Sequence, residues 1–224
     1  MSLTANTQIV TPLAGARDVT VADSGGMYVA SMPAASLGAG IAGNASGVAT
    51  FVETTPYIIL VNLGLKTIYP VHLRMHTVAV GTGNTTGAQN WTFTIDPVNR
   101  YTSGGTALVP VNTNMTSPNQ SGAEIYVGGT LVATAASPLR VIVGHQATKY
   151  GHIEIVHDCL QFNFGGAEQV DPCSFINNTS TNSHYTVNFA PVAIGPGHSF
   201  IAYRWVASNS ALPTYEVEMA YFEK

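Results

Sequence analysis

The sequence predicts an all-β protein, a single antiparallel β-sandwich of jelly-roll type carrying an extended N-terminal arm. Three observations predict it. From residue 51 onward, short β-branched and aromatic runs alternate with Gly, Pro and Asn clusters, the pattern of strands joined by turns. No window carries apolar residues at i, i+3 and i+4 over three turns with caps, so helices are not expected. The chain has 224 residues, of which 46% are hydrophobic and only 9% charged, long enough to bury a core without disulfide or metal.

Residues 1–50 are rich in Ala, Gly, Ser and Thr, with only Arg17, Asp18 and Asp23 charged and no sustained periodicity, which reads as an arm (domain boundaries 1–50 and 51–224). Residues 57–63 form an apolar run short enough for a buried strand. Residues 71–80 alternate: Val71, Leu73, Met75, Thr77 and Ala79 share one face, His72, Arg74, His76 and Val78 the other. A Gly/Thr/Asn loop at 81–87 precedes a second alternating run at 91–95, ended by Pro97. Residues 112–122 are a polar loop, and Gly128-Gly129 between 124–127 and 131–133 is a hairpin signal. Further strands are expected at 139–143, 153–164, 185–189, 192–194, 199–207 and 214–222, the last with Tyr215, Val217, Met219 and Tyr221 on one face. The spacing gives roughly nine to eleven strands.

Composition excludes several function classes. Lys+Arg 8 against Asp+Glu 12 gives a net charge of -4, with no basic stripe to meet nucleic-acid phosphates. Residues 24–52 carry no charge, but six glycines and Pro33 break the segment, so it lacks the ~20 mainly apolar residues of a membrane span. The N-terminus shows no basic region followed by an apolar one, so no signal peptide is expected. Cys159 and Cys173 are accordingly expected reduced.

Few residues suggest chemistry. His72 and His76 lie four apart on an expected strand, and His157 and Cys159 two apart, so each pair shares a face as metal ligands would. Nothing in the sequence brings the two pairs together, and surface histidines with a half-buried thiol are the commoner outcome. Glu216 and Glu218 alternate on one strand face and mimic a glycosidase carboxylate pair, but a half-buried edge of acids has the same pattern. There is no Gly-x-Ser-x-Gly elbow, and the loop at 81–87 lacks the Lys-Ser/Thr of a phosphate loop. The reading is therefore no enzyme, no cofactor and no metal. Tyr203, Trp205, Tyr215, Tyr221 and Phe222 crowd the last quarter, as in a core or a subunit interface.

The tail, 190–205 (APVAIGPGHSFIAYRW) followed by 214–224 (TYEVEMAYFEK), resembles the closing hairpin of jelly-roll virion proteins of tailed bacteriophages. The plan of an uncharged arm before one Asn/Thr-rich sandwich is similar to that of the trimeric cement or decoration proteins of phage heads. That resemblance implies a structural role on the head surface, with the major capsid protein and sister subunits of a homotrimer as partners, and without active site, cofactor, nucleic acid or membrane. A low charge content suits a surface packed against neighbours. The candidate interface residues are Ile9, Val10, Leu13, Tyr28 and Met32 in the arm, and Tyr203, Trp205 and Tyr221 in the tail. A tail or fibre receptor-binding component is the second reading. A sugar-binding module or glycan hydrolase is the third, requiring a cleft that exposes Trp205 or Trp91 beside the acidic pair.

Overall fold

The computed structural model describes residues 21–32, 51–79, 89–132, 141–147, 159–165, 173–175, 184–206 and 214–224. Within them the chain makes fifteen strands, ten of which run five residues or more. The pairing of the long strands is nested. β1 (Met27–Ser31) pairs with β15 (Thr214–Glu223), and β2 (Ile58–Asn62) with β14 (Ser199–Val206). Inside those, β3 (Ile68–Ala79) pairs with β11 (Cys159–Phe164), and β4 (Gln89–Asp96) with β10 (Val141–Ala147). Successive rungs of this ribbon fall alternately in two sheets, as β11-β3-β15-β1 and β10-β4-β14-β2. Eight strands so rolled are a jelly roll, and the expected sandwich is found.

Shorter strands extend it. β8 (Ala123–Val127) and β6 (Thr106–Leu108) continue the second sheet beyond β2, and β7 (Val111–Asn112) continues the first beyond β1. At the other edge of the first sheet stand β13 (His184–Phe189) and β12 (Cys173–Phe175). β13 runs parallel to β11, a departure from a wholly antiparallel sandwich. β5 (Tyr101–Ser103) and β9 (Thr130–Leu131) make a two-stranded sheet of their own. The run at 192–194 contributes only an isolated bridge, between Ile194 and Ile68.

The arm boundary at residue 50 is corrected by β1. This strand lies between β15 and β7, and its register with β15 runs from Met27 opposite Phe222 to Ser31 opposite Glu218. Tyr28, Ala30 and Met32 are buried in the inter-sheet core. The strand escaped sequence reading because its outward residues, Met27, Val29 and Ser31, are as uncharged as its inward ones, so the alternation has little contrast. Ile9, Val10 and Leu13 lie outside the described residues.

The Gly128-Gly129 hairpin is also corrected: β8 pairs with β2 and β6, whereas β9 pairs with β5. These glycines serve a close approach instead. Gly105 has φ +78, and a Cβ there would stand 2.9 Å from the Val127 carbonyl oxygen and 3.0 Å from the Gly129 nitrogen. Two Gly-Gly turns thus lie backbone against backbone, which any side chain would prevent.

Between the sheets, Trp91, Phe93, Phe162 and Phe200 form a buried aromatic core, with Phe93 and Phe162 edge to face at 4.7 Å. A second, smaller cluster of Ile59, Val61, Leu131, Ile201 and Tyr203 lies on the far side of the second sheet, where the β5–β9 pair covers it. If β1 is integral, removing residues 1–32 abolishes cooperative thermal unfolding followed by circular dichroism. Tyr28→Ala, which empties a fully buried aromatic site, lowers stability by on the order of 3–5 kcal/mol in denaturant titration; a truncated chain melting like the full one would place β1 outside the cooperative unit.

Candidate functional site

The outer face of the first sheet is polar, and its register arranges the side chains in rows. One row runs Ser31, Glu218, Arg74, Gln161 and Thr186 across β1, β15, β3, β11 and β13. Leu73 and Met75 on β3, and Val217 and Met219 on β15, point into the core, which leaves His72, Arg74, His76, Glu216 and Glu218 on the outer face. Glu218 Oε1 accepts from Arg74 Nη2 at 2.5 Å and from His72 Nε2 at 3.1 Å. The hydrogen bond from His72, joined by that from Arg74, outweighs desolvation and lowers the Glu218 carboxyl to about 2. Beside this cluster, Gln161 Nε2 donates to Asn163 Oδ1 at 2.7 Å, and Asn163 Nδ2 donates to Asn188 Oδ1 at 2.9 Å.

This geometry decides the sequence-level pairs. A glycosidase acid needs a raised carboxyl pKa to hold its proton, and Glu218 is shifted the opposite way. Neither tryptophan is beside it: Trp91 is sealed in the core, and Trp205 lies on the outer side of the other sheet. His72 is engaged by Glu218, whereas His76 lies level with Glu216 on one side and Cys159 on the other. Histidine and cysteine thus share a face that sequence spacing alone did not connect, although His157 falls outside the described residues. Among the described residues, no group of three or more His, Cys, Asp or Glu side chains is arranged to hold a metal. Cys159 and Cys173 stand two strands and three register positions apart, well beyond the ~7 Å Cα reach of a disulfide.

The outer face of the second sheet is apolar where β2 and β14 lie side by side, flanked by Thr92, Thr94 and Asp96 of β4 and by Glu124 of β8. Ile59 and Val61 of β2 and Ile201 and Tyr203 of β14 pack under Leu131, while Tyr101 and Tyr126 stack with ring centroids 4.1 Å apart. Beyond this cover, Phe51 is 44% exposed and meets Tyr203 and Trp205 edge-on at 4.9 and 5.4 Å. Val52, Val98 and Val132, which border the cover in sequence, are exposed as well. The result is an aromatic cluster that the described residues leave partly open, with the Glu124 carboxylate bonded to Tyr126 at its edge.

The candidate interface residues divide accordingly. Tyr28, Met32 and Tyr221 belong to the core, where Tyr28 and Tyr221 stack at 5.7 Å, and Tyr203 is buried beneath Phe51. These four are corrected to intrachain packing, because the sandwich has two inward faces and a covered outer one to fill. Trp205 remains partly accessible. Phe51 was missed as a surface residue; its only signal was its place at the change of texture after an uncharged stretch. A scan of protein-family models, a search of curated proteins and a search of solved structures each find no match to the chain.

Glu218 sets a pH dependence. Its folded value of about 2 lies below the ordinary 4.5, so its contribution is full above 4.5 and is lost as pH falls through about 2. Glu218→Gln is therefore less stable at pH 7, by on the order of 1 kcal/mol or less for a part-exposed pair. That deficit shrinks as pH falls from 4.5 to about 2. Urea midpoints of both proteins across this range check it, and a deficit independent of pH would show that the ionised carboxylate is not what matters.

Proposed function

We propose that the chain is a structural virion protein, a cement or decoration protein on the head of a tailed phage, acting through packing against neighbours. The observation that carries this reading is the partly exposed aromatic cluster on the outer face of the second sheet, where Phe51 and Trp205 meet. Exposed apolar clusters rimmed by polar groups mark contact sites on otherwise polar surfaces. Two further features support it. The jelly-roll strand order is shared by many capsid proteins, though fold by itself does not assign function. The 9% charged content keeps the desolvation cost of extensive contact low.

On this reading the sandwich associates as a homotrimer and bears on the major capsid protein, with Phe51 and Trp205 buried at a contact and Ile9, Val10 and Leu13 engaging the shell. The protein is assembled in the host cytoplasm and ends on the outer head surface. Antibody labelling of purified particles tests this: label over the head supports it, label confined to the tail replaces it with a receptor-binding role, and absence from particles overturns it. The double variant Phe51→Ser/Trp205→Ser attaches at least tenfold more weakly than the native chain, as loss of central aromatic contacts requires. Unchanged attachment would remove this surface from the interface.

A further inference from the structure

The turn between β2 and β3 carries two leucines outward at one end of the sandwich: Leu65 is 96% exposed and Leu63 54%. The backbone around them is held in place. The Leu63 amide donates to the Gly122 carbonyl at 2.9 Å, Asn62 Nδ2 donates to the Lys66 carbonyl at 2.7 Å, and Thr67 and Lys224 exchange amide-to-carbonyl bonds at 2.9 and 3.0 Å. An apolar knob fixed in this way needs little ordering when a partner covers it.

Charge divides between the two ends of the molecule. Among the described cations, Arg74 and Arg100 pair with Glu218 and Asp96, and Arg204 is enclosed by aromatic rings. The other two, Lys66 and Lys224, are exposed, and the Thr67–Lys224 bonds bring both to the end that bears Leu65. Asp23, also exposed at this end, is tied through its carbonyl to Asn114 in the loop after β7. The partly exposed aromatic cluster has acids instead, with Glu53 two residues from Phe51 and Glu124 at its edge.

One chain cannot join its own two surfaces. The leucines follow the end of β2, whereas Phe51 precedes its start, and Trp205 lies six residues along β14 from Ser199, the partner of Val61. At ~3.3 Å per strand residue, the surfaces stand on the order of 20 Å apart on one sheet.

We propose that a second copy of the chain is the occupant: the Leu63/Leu65 turn of one copy seats on the Phe51/Trp205 cluster of the next. Lys66 and Lys224 then face the acidic side of that cluster, and opposite charges set the orientation of approach. A contact between two different surfaces repeats head to tail and closes as a ring, which is what a cyclic trimer requires. The inference rests on the homotrimer of the proposed function and supplies its interface, wherever that trimer is found.

Light scattering after gel filtration of the full chain gives a trimer at micromolar concentration. Leu63→Ser/Leu65→Ser and Phe51→Ser/Trp205→Ser each raise the dissociation constant at least tenfold, while Val109→Ser, at a comparably exposed position between β6 and β7, leaves it unchanged. The leucine variant keeps the native circular dichroism spectrum, because both side chains lie outside the core. In a second arm, a short bismaleimide joins Phe51→Cys/Leu65→Cys chains into covalent trimers, and neither single variant forms them. A native chain that is monomeric at micromolar concentration, or a leucine variant as trimeric as the native chain, would overturn the inference. Should that trimeric variant also have lost attachment to particles, the turn belongs to the shell contact instead. Antibody labelling of the head decides the virion reading separately.

Discussion

The pairing of β1 with β15 closes the roll, and the other nested pairs lie within the loop it completes. The contact joins residues nearly two hundred positions apart in sequence, from Met27 opposite Phe222 to Ser31 opposite Glu218. Closing so long a loop costs entropy that grows only slowly with length, and the aromatic burial at the seam offsets it. Tyr28 stacks on Tyr221, and desolvation raises the phenol pKa of both rings, so they stay neutral. The next residues then reach across to the second sheet. Glu223 Oε1 accepts from Ser121 Oγ at 2.7 Å and from the Gly122 amide at 2.9 Å, while the Glu223 amide donates to Gly26 at 2.8 Å. One strand end thereby ties β1, β15 and the entry to β8.

With the roll closed, polar groups trapped inside must find partners in the fold. Asn62 is fully buried, donates through Nδ2 to Lys66 at 2.7 Å and to Ile194 at 2.9 Å, and accepts from the Gly64 amide at 3.0 Å. It fixes the turn between β2 and β3 against the segment leading into β14. Arg204 points inward from β14, its guanidinium carbon 4.6 Å from the Tyr215 ring centroid, 5.5 Å from Tyr57 and 5.7 Å from Trp91. Aromatic faces from β15, β4 and the approach to β2 thus surround one cation, an attraction strengthened by the absence of water. Asp96 and Arg100, also buried, form an ion pair that braces the turn after β4. The ion pair is local, whereas Asn62 and Arg204 link elements that the ribbon brings together from distant sequence, favouring this packing over other pairings of similar strands.

What the sequence made legible was alternation with contrast. On β3 the apolar and charged residues take turns, and the structure puts Leu73 and Met75 inside with His72 and Arg74 outside. Of the run expected at 57–63 to be a buried strand, residues 57–62 are buried, Asn62 included, while Leu63 at its end is exposed. β1 was illegible because neither of its faces carries charge, and the Gly-Gly turns were misread because the same residues serve a hairpin and a close backbone crossing. The outer-face clusters were illegible for another reason. Glu218, Arg74 and His72 meet through the register of β15 on β3, a property of two strands some 140 residues apart that neither one encodes locally.

The scarcity of charge shapes the two outer faces in opposite ways. On the first sheet polar side chains bond one another, carboxylate with guanidinium and imidazole, amide with amide. Asparagines do similar work in the loop after β7, where Asn112, Asn114 and Asn119 donate to the carbonyls of Gly25 and Asp23 and thereby anchor the entry to β1. On the second sheet the strands present Ile59, Val61, Ile201 and Tyr203 outward, and the β5–β9 pair is too short to cover all that surrounds them. Phe51 and Trp205 extend this apolar layer outward, the Phe51 ring meeting Tyr203 and Trp205 edge-on, so the aromatic packing that begins under Leu131 continues to a ring left 44% exposed.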